Sequence, residues 1–357
     1  MNNRIRLVLL AVIVLTSVSI WSCGKEDVDL VQPTIFGDAV LLRPLNLQTL
    51  ADESNICYEL WLVDIESTTD SDSNSMYLVQ KELSLGKFFW RRTPYAFYTL
   101  NNVRRDSVFA TPNGENVYDY NTIMITLEPL ADDGVRSNNG LIFDVVEFGQ
   151  PIEGQFNLFD EPALTVVHEV DEPLLVADYV IRSYSDDGDP REAPLQGIWF
   201  HDFTLGQGGN QQLAKTLSIP VIRENAHVTY EGWVYKPDFS RPLSTGKFKN
   251  PRWSDWSHDH IGENWYPNIP GEDFIKNPPA DFTPKFGPSE PMELVGEGGE
   301  AYITLEPYPD PDPNEPFPMI LFKANLPKSE TSARGGHFPM ESLYDVLPSF
   351  NAVVLTQ

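Results

Sequence analysis

The phrase WSDWSHDHIGENWYPN, residues 253–268, gathers Asp255, His258, Asp259 and His260 among Trp253, Trp256, Trp265 and Tyr266. Residues two apart on a strand share a face, so His258 and His260 can present two imidazoles together and hold a divalent metal with Asp255 as third ligand. The carboxylates of residues 254–264 would alternatively serve a hydrolase as acid and base. Against both stands the plainer reading of an ordered loop with its aromatics pinned on a sheet, which we prefer because short His-x-His phrases are common. The same rings suit a glycan or peptide platform.

Other chemistry-bearing motifs are incomplete. The chain has no Gly-x-Ser-x-Gly, no Gly-x-x-x-x-Gly-Lys and no Cys-x-x-Cys. HEVDE at His168 lacks a second His, and GEGGEA at Gly296 precedes a strand pattern rather than a helix. TDSDSNS (Asp70, Asp72, Asn74) and PDPDPNEP (Asp310, Asp312, Asn314) open like calcium loops but lack the following Gly and the late Glu, so they read as polar hairpin tips. No catalytic residue and no cofactor is assigned, and a non-enzymatic protein is expected.

The start of the chain decides location. Arg4 and Arg6 precede an apolar run from Leu7, and a small residue, Ser22, stands directly before Cys23. That is the pattern of a secretory signal, residues 1–22, too short in its apolar part to span a bilayer. SIWSC resembles the bacterial lipobox, so Cys23 is the expected lipid-attachment residue. Residues 23–35 then form an acidic tether. Gly24 in place of Asp argues for the outer membrane, and Lys25 to Asp27 resemble the charged tag of surface lipoproteins, leaving display outward or toward the periplasm open. Twenty-five Lys and Arg against 52 Asp and Glu leave a net charge of −27. A surface so acidic excludes nucleic acid as a partner. With Cys23 spent on lipid, Cys57 has no disulfide partner and is expected as a buried thiol.

Three phrases recur in the same order in both halves: YELWLVD from Tyr58 and YEGWVYK from Tyr230, LSLGKF from Leu83 and LSTGKF from Leu243, IMITLEP from Ile123 and AYITLEP from Ala301. Each has strand character, with large apolar or β-branched residues in short alternating runs. Trp61 and Trp233 stand three residues after Tyr58 and Tyr230, so each Trp faces the side opposite its Tyr. Gly86 and Gly246 mark a bulge or a close backbone approach. Glu128–Pro129 and Glu306–Pro307 close their strands, because Pro cannot donate to a ladder.

Gly and Pro, 23 and 30 residues, break the chain into short elements. Helical turns are expected only in residues 41–54 and 340–350. The fold class that follows is all-β, as two tandem Ig-like β-sandwich domains at 36–160 and 161–357, the second with a long insertion at 249–299.

In this order, YELWLVD, SLGKF, ITLEP and then GLIF at Gly140 resemble the extracytoplasmic C-terminal domain of the RskA-type anti-sigma-K factors. The second half is similar through YEGWVY, LSTGKF, ITLEPYPDPDPNEP and PMILF. The resemblance covers about 100 residues of each half. It implies a β-sandwich outside the cytoplasm and brings no catalytic residues with it. In that family a transmembrane helix links the domain to a sigma-holding domain, neither of which is read in this chain, so direct anti-sigma activity is not expected. The expected function is an envelope binding or scaffold lipoprotein, held to the membrane by its N-terminal lipid, with a protein or glycan ligand. The alternatives are an envelope-stress sensor or anti-sigma regulatory partner, and the hydrolase of residues 254–264.

Overall fold

Short β-branched and aromatic runs punctuated by Gly and Pro pair as antiparallel strands throughout. The computed structural model describes residues 37–50, 56–69, 75–131, 140–145, 152–155, 165–166, 176–184, 195–205, 211–214, 217–224, 228–256, 260, 268–274, 292–310, 312–334, 336–344 and 347–356.

In the first half, Ile56–Thr69 (β2), Ser75–Arg92 (β3), Tyr95–Tyr98 (β4), Arg104–Arg105 (β5), Thr122–Pro129 (β7) and Gly140–Val145 (β8) form a six-stranded sheet in the order β5-β4-β3-β2-β7-β8. Gly37–Pro44 (β1), Val108–Ala110 (β6), Ile152–Gln155 (β9) and Ser349–Thr356 (β24) form a second sheet, ordered β6-β1-β24-β9.

In the second half, Val228–Tyr235 (β17), Leu243–Phe248 (β18), Glu300–Pro307 (β20), Ile320–Asn325 (β21) and Glu341–Ser342 (β23) run β18-β17-β20-β21-β23. Val176–Ile181 (β11), Gly197–Trp199 (β12), Leu217–Ser218 (β15) and Gly271–Asp273 (β19) run β15-β11-β12-β19, and Phe338–Pro339 (β22) pairs with β11. Two small ribbons remain, Thr165–Val166 (β10) with Val221–Ile222 (β16) and Asp202–Leu205 (β13) with Gln211–Ala214 (β14).

The class is therefore all-β. Residues Phe36–Gln357 form one compact unit, and one buried cluster runs through both halves, including Leu42, Tyr58, Phe88, Phe109, Tyr179, Phe200, Tyr230, Leu305 and Phe350. Phe88 on β3 meets Phe109 on β6 edge to face at 5.3 Å, joining the two sheets of the first half across their apolar faces. Each such ring contributes about 2–3 kcal/mol by leaving water.

Two elements cross the divisions read from sequence. The last strand, β24, lies between β1 and β9, with Leu41 opposite Val353 and Ala352 opposite Ile152. The chain thus returns from its second half to complete a sheet of its first. The insertion at 249–299 is not loop alone, since β19 lies inside it and pairs with β12.

Of the helical turns expected at 41–54 and 340–350, the first is corrected, while in the second Tyr344 O accepts from Leu347 N at 3.1 Å in a 3-10 turn between strands. Residues 41–44 belong to β1, and Glu341–Ser342 and Ser349–Phe350 to β23 and β24, because their backbones find ladder partners that outweigh local helix preference. An α-helical turn forms at Glu330–Ala333, capped by the Ser329 hydroxyl, which accepts from Ser332 N, and 3-10 turns form at Pro112–Gly114 and Val117–Asp119. No helix among the described residues is long and apolar enough to cross a membrane.

Candidate functional site

The repeated phrases fold into the same hydrogen-bonded network twice. Tyr58 lies opposite Phe88 and Leu127, and Tyr230 opposite Phe248 and Leu305. Each Tyr hydroxyl donates to a carbonyl ten residues upstream, Gln48 O at 2.9 Å and Pro220 O at 3.0 Å. Both rings are in the core. The two Trp side chains leave by the other face, as the strand pleat requires.

On that face Trp61 Nε1 donates to Thr126 Oγ1 at 2.9 Å, and Trp233 Nε1 to Thr304 Oγ1 at 3.0 Å. Each threonine hydroxyl in turn donates, Thr126 to Glu128 Oε1 at 2.5 Å and Thr304 to Glu306 Oε1 at 2.5 Å. Two residues apart on one strand, each pair shares a face. Ser84 Oγ donates to Glu59, and Ser244 Oγ to Glu231. Each Ser oxygen accepts from the Gly two residues on, at 3.1 Å in both copies.

The register shifts at Leu60/Trp61 and at Gly232/Trp233, so one extra residue, Leu85 or Thr245, bulges opposite each Trp. Gly86 and Gly246 close these bulges at φ 114° and 106°, a backbone that side chains rarely adopt. The strands end at Pro129 and Pro307 as expected.

The copies differ above this face. Lys87 stands 3.9 Å from Glu59, whereas Lys247 bonds Glu231 and also Asp310 at 2.8 Å. Glu231, Glu306 and Asp310 offer oxygens within 4.8 Å of one another, a spacing a hard cation accepts, and the Lys247 ammonium supplies positive charge there. Asp310 reaches it from the hairpin tip. Asp312 N donates to Asp310 Oδ1 at 2.8 Å and Asn314 N to Asp312 Oδ1 at 3.2 Å, the side-chain turns of a polar tip. Beside this network lies a groove of about 360 Å³, lined by Arg241, Ser244, Lys247, Trp256, His260 and Asn314.

No family model matches this chain, and neither a curated protein nor a solved structure does. The site is therefore read from its own geometry.

Of the metal candidates, Asp255 is buried, and its Oδ2 accepts from Gly271 N at 3.0 Å, tying the start of the insertion to its own strand β19. His260 lines the groove, with its ring 5.3 Å from Phe274. His258 and Asp259 lie outside the described residues, as do Cys23, Asp70, Asp72, Asn74 and His168. Trp253 and Trp256 are exposed, and Trp256 meets Tyr308 edge to face at 5.3 Å, with the Lys249 ammonium 5.9 Å and 5.7 Å from the two rings. Trp256 N donates to Lys247 O at 2.8 Å, which places this platform against β18. Cys57 is buried, its thiol donating to Glu128 O.

The glutamates that follow Tyr58 and Tyr230, the Ser and Lys of the glycine phrases, and the threonines before Leu-Glu-Pro were not singled out by sequence reasoning. Their signal was present: each is identical in both copies.

Burial sets the electrostatics. It pushes Glu306 up to about 8 against the opposing hydrogen bond from Thr304, and Glu272 up to about 9 with Asp255 adding to the effect. A carboxyl raised in the folded state contributes stability that is fully present below about pH 4.5 and is lost as pH rises through its folded value. The melting temperature is therefore expected to fall between pH 5 and pH 9, with Glu306 alone contributing on the order of 2–4 kcal/mol. Glu306→Gln keeps an acceptor for Thr304 and for Phe317 N and should flatten that slope in calorimetry; an unchanged slope would refute the assignment.

Proposed function

We propose that this is a non-enzymatic outer-membrane lipoprotein, anchored through Cys23, that works as an envelope binding or scaffold protein. In this reading its two halves are homologous β-sandwich domains of a kind similar to the extracytoplasmic domain of RskA-type anti-sigma-K factors, and β24 ties them together. The observation that carries the non-catalytic part is how the repeated carboxylates are used. Glu59, Glu128, Glu231 and Glu306 are all buried, and each accepts from a hydroxyl of its own motif. A general acid or base must reach a substrate proton; Glu59, Glu128 and Glu306 are enclosed by their own motifs, and Glu231, at the border of the groove, is held by Ser244 and Lys247. Exposed aromatic rings stand on both halves, Trp253, Trp256 and Tyr308 on one and Tyr95 beside Arg43 and Arg104 on the other.

Protease shaving of intact cells, with lysed cells and Cys23→Ala as controls, tests the anchoring. Loss of the mature protein on intact cells is the result expected of a surface receptor, and protection until lysis that of a periplasmic scaffold. A Cys23→Ala chain that still fractionates with the outer membrane would sink the lipid anchor altogether.

A further inference from the structure

From Leu83 to Arg105 the sequence carries Lys87, Arg91, Arg92, Arg104 and Arg105 and no acidic residue, within a chain of net charge −27. The fold gathers part of this charge at one place. A groove of about 700 Å³ opens where the end of β1 meets β4 and β5, with Arg43, Arg104 and Arg105 on its walls and Trp90, Tyr95 and Phe97 beside them. Arg43 comes from the four-stranded sheet, Arg104 and Arg105 from the edge of the six-stranded one. None of the three forms an ion pair among the described residues. The acid beside them, Asp106, accepts from Ser107 N at 2.6 Å. Arg105 lies over the Phe109 ring, 3.9 Å from its centroid, which holds its guanidinium in one orientation.

The aromatics are graded by depth. Trp90 and Phe97 are buried and stack obliquely at 5.0 Å, a rigid floor. Tyr95, 6.0 Å from Trp90, is 73% exposed and projects from that floor. An exposed ring on a rigid base beside planar guanidiniums presents a stacking face and bidentate donors for carboxylate together.

We infer that this groove binds a uronate-bearing oligosaccharide, with Tyr95 stacking on a sugar ring and Arg43 and Arg104 pairing with sugar carboxylates. The inference deepens the reading of this protein as a binding protein by naming a ligand class. The volume exceeds what a single small anion fills and lies in the range of pockets for larger ligands. An acidic peptide added as a strand is disfavoured, because β5 is two residues long and offers almost no ladder to extend.

The test is calorimetric titration of the detergent-solubilised full chain with tetramers of galacturonate, guluronate and a glucuronate-containing glycan. Maltotetraose, inorganic phosphate and tetraglutamate are the comparison probes. At least one uronate tetramer should bind at millimolar or lower concentration and weaken with added salt, while maltotetraose and phosphate do not bind. Arg43→Gln with Arg104→Gln, and separately Tyr95→Ala, should each raise Kd by about tenfold or more. All three positions are solvent-facing, and an unchanged melting temperature checks that the variants fold. Failure of all three uronates, affinity indifferent to the variants, or equal binding of tetraglutamate would overturn the proposal. None of these outcomes bears on the shaving experiment, so failure of the ligand class and failure of the anchored-receptor reading are distinguishable.

Discussion

Gly246→Ala is expected to cost about 3–5 kcal/mol of stability and Gly86→Ala about 1–2, although the two glycines occupy the same position of the repeated motif. Both sit at positive φ, 106° and 114°, so a side chain strains the backbone equally at either. The surroundings separate them. A Cβ at Gly246 would lie 2.4 Å from the Asp255 carboxyl carbon, inside any real contact distance, and Asp255 is buried and held by Gly271 N. At Gly86 the nearest atom is Arg105 Nη1 at 3.9 Å, ordinary contact. Urea unfolding of the two variants measures the difference. Equal losses would show that backbone strain alone governs both sites. Adding Asp255→Ala to Gly246→Ala should recover part of the loss, because the clash is removed while the strain remains.

Lys247→Met should lower stability by about 3 kcal/mol at pH 8, the range for removing one member of a buried ion pair. Met keeps most of the apolar stem and removes the ammonium that bonds Glu231 and Asp310. In the native protein burial pulls Lys247 down, and the two carboxylates more than reverse that, leaving it raised and charged. Burial raises Glu231 while Lys247 opposes it, so without the lysine Glu231 rises further. A raised folded value means stability present below about pH 4.5 and lost as pH climbs, so the variant should recover much of its deficit at pH 5. Thermal unfolding at both pH values decides this. A deficit that ignores pH would assign the effect to packing of the stem. Lys87→Met, whose Glu59 partner stands at 3.9 Å rather than in direct hydrogen-bond contact, should lose less.

Much of the network was legible because it is local. Tyr58 and Trp61 take opposite faces since they stand three apart on a strand, and Thr126 meets Glu128 since they stand two apart. The bulge at Gly86 and the strand end at Pro129 follow from backbone restrictions those residues carry anywhere. Asp255 and His260 were marked by their types, yet nothing local said that Asp255 would be drawn onto Gly271 and fill the space over Gly246. The arginines of β5 carry no local sign of a site, because their meeting with Arg43 depends on β1 and β5 ending beside one groove.

The sequence by itself determined the β class, the repeated strands and the face each motif residue takes, because pleat, bulge and proline act within a few residues and need no partner. Only the tertiary structure decided that Asp310, sixty-three residues from Lys247, completes the second copy's charge network. It alone decided that β24 returns to pair with β1, and that an arginine lies nearest one bulge glycine and a carboxylate the other. Those outcomes depend on where loops of unequal length carry their residues, and on which buried charge finds a partner when water is excluded.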